Sequence, residues 1–343
     1  MKLIRTVEAA GHVLCHDLTQ IVPGVSKDAR FRKGHIVAED DIPVLLSMGK
    51  EHLYVWEFNE SMLHENEAAE RLVKLCRNIG MEPTAVKEGK IELVAQHDGV
   101  FRADAGRIDA INDLEDMCIA TLPDYMPVKK GTKLAGMRVI PLVIKKERLE
   151  EAELIAGDIP LLELLPYRRI KTGVITTGNE VAKGLIKDGF TPVIEAKLRQ
   201  YGVDVNEHRV SGDDADTTAQ FIKELAAAGM DLIICTGGMS VDPDDRTPLA
   251  IKESGADIVT YGAPVLPGAM FLISYLAYAG REITVLGLPG CVMYARTTIF
   301  DIMLPRIIAG KRISRQDVRH LGVGGLCQGC EICHYPLCSF GKD

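Results

Sequence analysis

Long apolar runs are missing from this chain. No stretch approaches the ~20 apolar residues that a membrane-spanning helix needs. The start, "MKLIRTVEAAGHVLCHDL", carries Lys2 and Arg5 but no unbroken core of signal-peptide length. A cytoplasmic protein with no membrane association is expected. Clustered positive charge is missing too: the formal net charge is −8 and Lys and Arg form no stripe, so the electrostatic footprint of a nucleic-acid binder is not there. An anionic ligand would have to be held by backbone dipoles or a metal. Tryptophan occurs once, yet 47% of the residues are apolar and 26% charged, the balance of an ordinary folded protein. At 343 residues, two or three domains are expected.

From about Arg169 strands and helices alternate. "IKTGVITTG" reads as a strand entering a turn, and "TPVIEAKLRQYG" as a helix capped by Thr191, with Pro192 first and Gly202 as terminator. "GVDVNEHRV" is a strand, and "DDADTTAQFIKELAAAG" a helix capped by Asp213 or Asp214 and closed by Gly229. "DLIICT" suits a central parallel strand and "TPLAIKESG" starts another helix. "MFLISYLAYAGREITVLGLPG" reads as a hairpin around "AGRE", and "VMYARTTIFDIMLPRIIAG" as a last helix ending at Gly310. The alternation predicts an α/β fold, a three-layer α/β/α sandwich with a mainly parallel sheet over 166–312. Residues 1–165 read as mixed α+β with a small β-rich module, including a helix that stops at Gly80. Residues 313–343 form a cysteine-rich tail.

Ligands in such sandwiches bind beyond the carboxyl ends of strands, which singles out "TTGNE", "TGGMSVDPDD" and "LPG". Gly237 and Gly238 let the main chain approach a ligand closely, and Thr236 and Ser240 add hydroxyls, so the stretch reads as a phosphate cradle. Asp242, Asp244 and Asp245 would repel a phosphate unless a hard cation, Mg²⁺, lay between. The bland alternative is a glycine turn whose aspartates cap the next helix. A second polar glycine loop, Thr177 to Glu180, at another strand end favours the cradle.

"GVITTGNEV", "CTGGMSVDPDDRTP" and "VLGLPG" together resemble the signature segments of the molybdopterin-binding domain shared by MoeA, MogA/MoaB and gephyrin-like proteins. The resemblance covers about Arg169 to Gly310. It implies a role in molybdenum cofactor biosynthesis, as MoeA-like molybdate insertion or MogA-like adenylyl transfer. Thr177, Gly178, Thr236, Gly237, Gly238 and Ser240 would hold the phosphate of molybdopterin or its adenylate. Glu180 and Asp245, joined by Asp214, would position Mg²⁺ or molybdate, and Pro289 and Gly290 would wall the pocket. Implied partners are molybdoenzymes or other cofactor-assembly proteins, and further copies of the chain in a homo-oligomer. Two departures favour binding over full catalysis: the family's "KPGKP" is "LPGAM" here, without lysine, and its "LPGNPxS" is "LPGCVMY", with Cys291 for Asn. Nucleotide pyrophosphatases of the competence-associated type resemble the same domain. A non-catalytic pterin carrier or sensor is a third reading.

Nine cysteines fall into two groups. Cys15, Cys76, Cys118, Cys235 and Cys291 sit in apolar company and read as small buried hydrophobes. Cys327, Cys330, Cys333 and Cys338 form C-x2-C-x2-C-x4-C, enough thiolates for Zn²⁺ or a [4Fe-4S] cluster, with His334 as a substitute ligand; free or disulfide-bonded cysteines in a disordered tail are the alternative. His12, His16, Asp17 and His35 could ligate metal or act as acid and base, but their spacing matches no ligand pattern and ordinary loop histidines are the expectation.

Overall fold

The computed structural model describes residues 1–22, 26–56, 61–240, 242 and 245–342. They form two compact units. The first comprises Met1–His97, Ala103–Leu122 and Lys130–Leu164, and the second Asp98–Arg102, Pro123–Lys129 and Leu165–Asp343.

The first unit is mixed α+β. Lys90–Ala95, Lys133–Val139 and their neighbours Met81–Pro83 and Met117–Thr121 build a four-stranded antiparallel sheet. The alternating burial of Lys90–Ala95 is what a half-solvated antiparallel strand shows. Helix Glu65–Cys76 stops short of Gly80, because Arg77 is extended and the Asn78 side chain takes the amide of Ile79. Asparagine competes for main-chain partners in this way, and Gly80 instead turns the chain into Met81–Pro83 at φ +81°. A separate small core gathers Leu14, Leu18, Phe31, Leu45 and Leu53.

The second unit is built on β1 (Thr172–Thr177), β2 (Val205–Ser211), β3 (Leu232–Thr236), β4 (Asp257–Tyr261), β5 (Leu272–Tyr278) and β6 (Arg281–Leu288). Its six strands lie in the order β2-β1-β3-β6-β5-β4. β2, β1, β3 and β6 are parallel, while β5 reverses against both β6 and β4. Successive side chains of a strand face opposite ways. Val174, Leu232, Ile234 and Leu286 therefore enter one core with α2 (Phe190–Arg199) and α5 (Ile299–Ile308), while Ile175, Ile233, Cys235 and Val285 enter another with α3 (Ala215–Ala227) and α4 (Thr247–Glu253). This is the three-layer α/β/α sandwich.

Two helix starts differ from the sequence reading. α2 begins at Phe190, ahead of Thr191, because Asp188 accepts from the amides of Phe190 at 2.8 Å and Thr191 at 3.2 Å. α5 begins only at Ile299. Gly290–Met293 forms a short 3-10 turn, and Thr298 with Asp301 makes a capping box. The reciprocal satisfaction of orphan donors in that box fixes the start. The hairpin is as expected: β5 and β6 are joined by Ala279 and Gly280 alone, at φ +49° and +76°, the mirror-type turn that matches strand twist.

Candidate functional site

From β1 the chain crosses to β2 on one side, then back past β1 to β3 on the other. The carboxyl ends of β1 and β3 therefore flank the place where strand order reverses, where open α/β sheets leave a crevice. Thr176 pairs with Thr236 and Thr236 with Leu288, so the loops after β1, β3 and β6 emerge side by side.

Main-chain proximity dictates the residues at this junction. Gly237 and Gly238 have φ +80° and +56°. A Cβ on Gly237 would strike the carbonyl oxygen of Thr177, and one on Gly238 would come within 2.8 Å of Thr247 Oγ1. Only glycine fits there. Thr177 Oγ1 donates to the Thr236 carbonyl at 2.9 Å and lies 3.1 Å from Thr247 Oγ1, which donates to the Gly237 carbonyl at 2.8 Å. The hydroxyl of Thr177 is thus spent clamping two loops and the start of α4 together. Thr236 Oγ1 is buried with no hydrogen-bond partner.

The acidic residues take main-chain amides. Asp245 accepts from the amide of Ser240 at 2.6 Å, Asp213 from that of Asn179 at 3.1 Å, and Asp214 caps α3 through the amide of Thr217 at 2.9 Å. The Thr217 hydroxyl and amide hold the Asp214 carboxyl below its ordinary range, and Arg246 adds to the effect. Glu180, in the first turn of the short α1 (Asn179–Ala182), folds back over Gly178, whose φ is +135°. Pro289 is buried and Gly290 exposed at the end of β6. Asp242 is exposed, and Asp244 lies outside the described residues.

Two participants were not singled out from the sequence. Arg246 lines a small recess with Thr177, Gly212, Asp213, Asp214, Thr218 and Thr247. It is a cation, whereas "LPGAM" carries none. Tyr261, on β4, donates to the Met239 carbonyl at 2.9 Å, and burial, with the Asp245 charge adding, raises its pKa.

Among the described residues no three His, Cys, Asp or Glu side chains gather into a set able to hold a metal ion, Glu180, Asp214 and Asp245 included. His35 faces Asp41 at 2.6 Å, and His12 is exposed. His16 and Asp17 line another recess with Lys50, Glu65, Glu88 and Arg138. Cys15, Cys76 and Cys235 are buried and Cys118 and Cys291 half-buried, while Cys327, Cys330, Cys333 and Cys338 line one recess in the tail.

Residues 173–309 match a family model described as "probable molybdopterin binding domain", and residues 3–57 match a domain of unknown function. The chain is 24% identical over 188 residues to a molybdopterin molybdenumtransferase of Synechococcus elongatus, covering 52% of this chain and 45% of that protein. It is 40% identical over 84 residues to a CinA-like protein of a Mycobacterium species, covering 24% of this chain and 20% of that protein. The chain thus spans under half the length of these curated relatives. Among solved structures, the tungsten cofactor synthesizing protein MoaB from Pyrococcus furiosus is similar at 20% identity, covering 40% of this chain and 91% of that one, with a TM-score of 0.34. Among the described residues no helix is long and apolar enough to cross a membrane.

Proposed function

We propose, on the premise that residues 173–309 belong to the molybdopterin-binding domain family, that the crevice beyond β1, β3 and β6 binds the phosphate end of molybdopterin or of its adenylate. The chain would act late in molybdenum cofactor assembly, in molybdate insertion or adenylyl transfer. One observation carries the reading: consecutive left-handed glycines, locked by the Thr177–Thr247 clamp, lie at the strand-order reversal beside Arg246. A guanidinium offers a planar fork to phosphate oxygens. The amides of Ser240 and Asn179 already donate to anionic oxygens, those of Asp245 and Asp213, so an oxyanion could take their place.

Mg²⁺ in phosphate sites is held through one or two carboxylates, the substrate phosphates and several waters, so Glu180 and Asp245 would be its protein ligands. When bound, it would neutralise phosphate charge. Arg246 would orient the phosphate, and Tyr261 would hold the loop through Met239. Molybdate is read here as substrate, and molybdoenzymes or other assembly proteins as partners, with further copies of the chain in an oligomer.

The test is release of AMP from the pterin adenylate by purified protein. Glu180→Ala and Asp245→Ala should each slow it at least tenfold; unchanged release in both rejects the site. Arg246→Ala should weaken pterin binding about tenfold or more, since a hydrogen bond to a charged group contributes about 1.5–3 kcal/mol. The match to the CinA-like protein favours a second reading, cleavage of a dinucleotide cofactor. A panel of dinucleotides assayed under the same conditions separates the two.

A further inference from the structure

The tail is the part of the second unit that the pterin reading leaves unused. From Val323 to Lys342 the chain contains neither strand nor helix beyond a single bridge, yet it follows a defined path. Leu266 donates to the Gly325 carbonyl at 2.8 Å, and the Cys327 amide to the Leu266 carbonyl at 2.8 Å. The Gly341 amide donates to the Gly324 carbonyl at 3.0 Å, closing the neck of a loop that holds all four clustered cysteines. Tyr335 donates from its hydroxyl to the Asp301 carbonyl at 3.0 Å, and Phe340 is buried beside it. Ile332 and Leu337, by contrast, are 69% and 80% exposed. A loop with apolar anchors at its base and exposed apolar residues at its rim has little of its own to hold the middle in place. Small protein segments in that position are commonly fixed by disulfides or metal.

Disulfides are not formed: all four cysteines are free thiols. All four border a single recess of about 390 Å³. Around one tetrahedral Zn²⁺ at ~2.3 Å, four sulfurs must lie within about 4 Å of each other, and among the described residues no three His, Cys, Asp or Glu side chains form a set able to hold a metal ion. Thiols distributed round a recess suit a larger inorganic core. The C-x2-C-x2-C run supplies three closely spaced thiols as in cubane ligation, although the gap to Cys338 is one residue longer than the ferredoxin-type run and its proline precedes the last cysteine, whereas structural zinc sites favour separated pairs.

Four thiolates around an oxidised cubane leave a net negative charge, and one cation, Arg296, lines the recess beside Glu331, held there by donating to the Glu331 carbonyl. Lys342 donates to the carbonyls of Pro336 and Cys338 near the neck of the loop. The Thr297 hydroxyl lies 3.1 Å from Cys333 Sγ, placed to donate to a thiolate. Hydrogen bonds to the sulfurs are one of the protein's means of setting a cluster's potential. Arg296 and Thr297 belong to the segment that leads from Pro289 and Gly290 to the cap of α5.

We propose that Cys327, Cys330, Cys333 and Cys338 hold one [4Fe-4S] cluster, with Arg296 and Thr297 as its charge-balancing and hydrogen-bonding neighbours. Ligation exchanges four S–H bonds for four Fe–S bonds and releases four protons. The site is independent of the pterin reading, and failure of either leaves the other standing.

The experiment is metal and sulfide analysis of the whole chain, purified without oxygen, with absorption and paramagnetic resonance spectra before and after dithionite. Iron and acid-labile sulfide in equal amounts, four of each per chain, are expected. Visible absorption should bleach as dithionite adds one electron, and a paramagnetic signal should then appear. Cys330→Ser and Cys333→Ser, both at exposed positions, should each lose most of the iron with unchanged circular dichroism, while Cys118→Ser in the first unit keeps it. Stoichiometric zinc without sulfide overturns the proposal, as do metal-free protein with four titratable thiols and iron retained in both serine variants.

Discussion

At single residues, the site is held by contacts that admit no other side chain. Gly237→Ala puts a methyl against the Thr177 carbonyl in a left-handed conformation. Strain of that kind costs about 1–3 kcal/mol, and urea unfolding should show a loss of that order together with loss of pterin binding. Thr177→Val leaves the buried Thr236 carbonyl without the donor at 2.9 Å, an omission costing about 1–3 kcal/mol. Asp188 gives a pH dependence. Burial opposes its charge, but hydrogen bonds from Thr191, Thr176 and Phe190 outweigh burial and lower its pKa. A depressed folded-state pKa means the stabilisation is complete above the ordinary carboxylate range and is lost as pH falls through the folded value. The acid limb of a stability-against-pH curve should therefore flatten in Asp188→Asn. The glycines were legible in the sequence, and the cap of α3 to within Asp213 or Asp214, because each residue type has a narrow local use. Arg246 was not, since nothing in its neighbours says which way it points.

At the scale of elements, the strands of the sandwich were legible except the edge strand β4, Asp257–Tyr261, and the helix starts less so. Apolar runs such as "LIIC" announce a strand buried on both faces, whereas Thr-Pro reads as a cap whether or not an aspartate upstream has already taken the amides, as Asp188 has for α2. The β5–β6 turn offers a test with an unusual sign. Ala279 stands at φ +49°, where an L side chain is strained by roughly 1–2 kcal/mol; glycine loses part of that gain to chain entropy. Ala279→Gly should stabilise the protein by about 0.5–1 kcal/mol in thermal unfolding. Lys197 on α2 is 7% exposed and pairs with Asp301 of α5. Lys197→Met takes the cation from the Asp301 carboxylate, which is 13% exposed and keeps its capping bonds from Thr298, so the loss should fall below the about 3–5 kcal/mol of a fully broken buried pair, measurable as a lowered urea midpoint.

Across the whole molecule, composition set expectations about charge that geometry refines. A net charge of −8 repels a phosphate ligand at long range, while Arg246 attracts it only on arrival. Association of a phosphate-bearing pterin should accelerate as salt rises from about 0.01 M to 0.1 M, because the Debye length falls from ~30 Å to ~10 Å. Stopped-flow binding measures this directly, and a rate that falls with salt would contradict it. The mixed α+β character of the first unit could be read ahead, but its packing could not, since short strands carry little periodicity. In the tail, spacing revealed the thiols. Arg296 and Thr297 join them only through folding, from thirty or more positions upstream.

β2 is one of the two outermost strands of the sandwich, with no strand on its far side among the described residues, and its sequence "VNEHRVS" alternates partly buried with exposed positions up to the buried Ser211. An open ladder of amides and carbonyls is a template for another chain's strand, and charged side chains along such a rim discourage that pairing. Glu207, His208 and Arg209 occupy its middle. Crowded solutions of this protein should therefore resist growth into fibrous polymers along that margin.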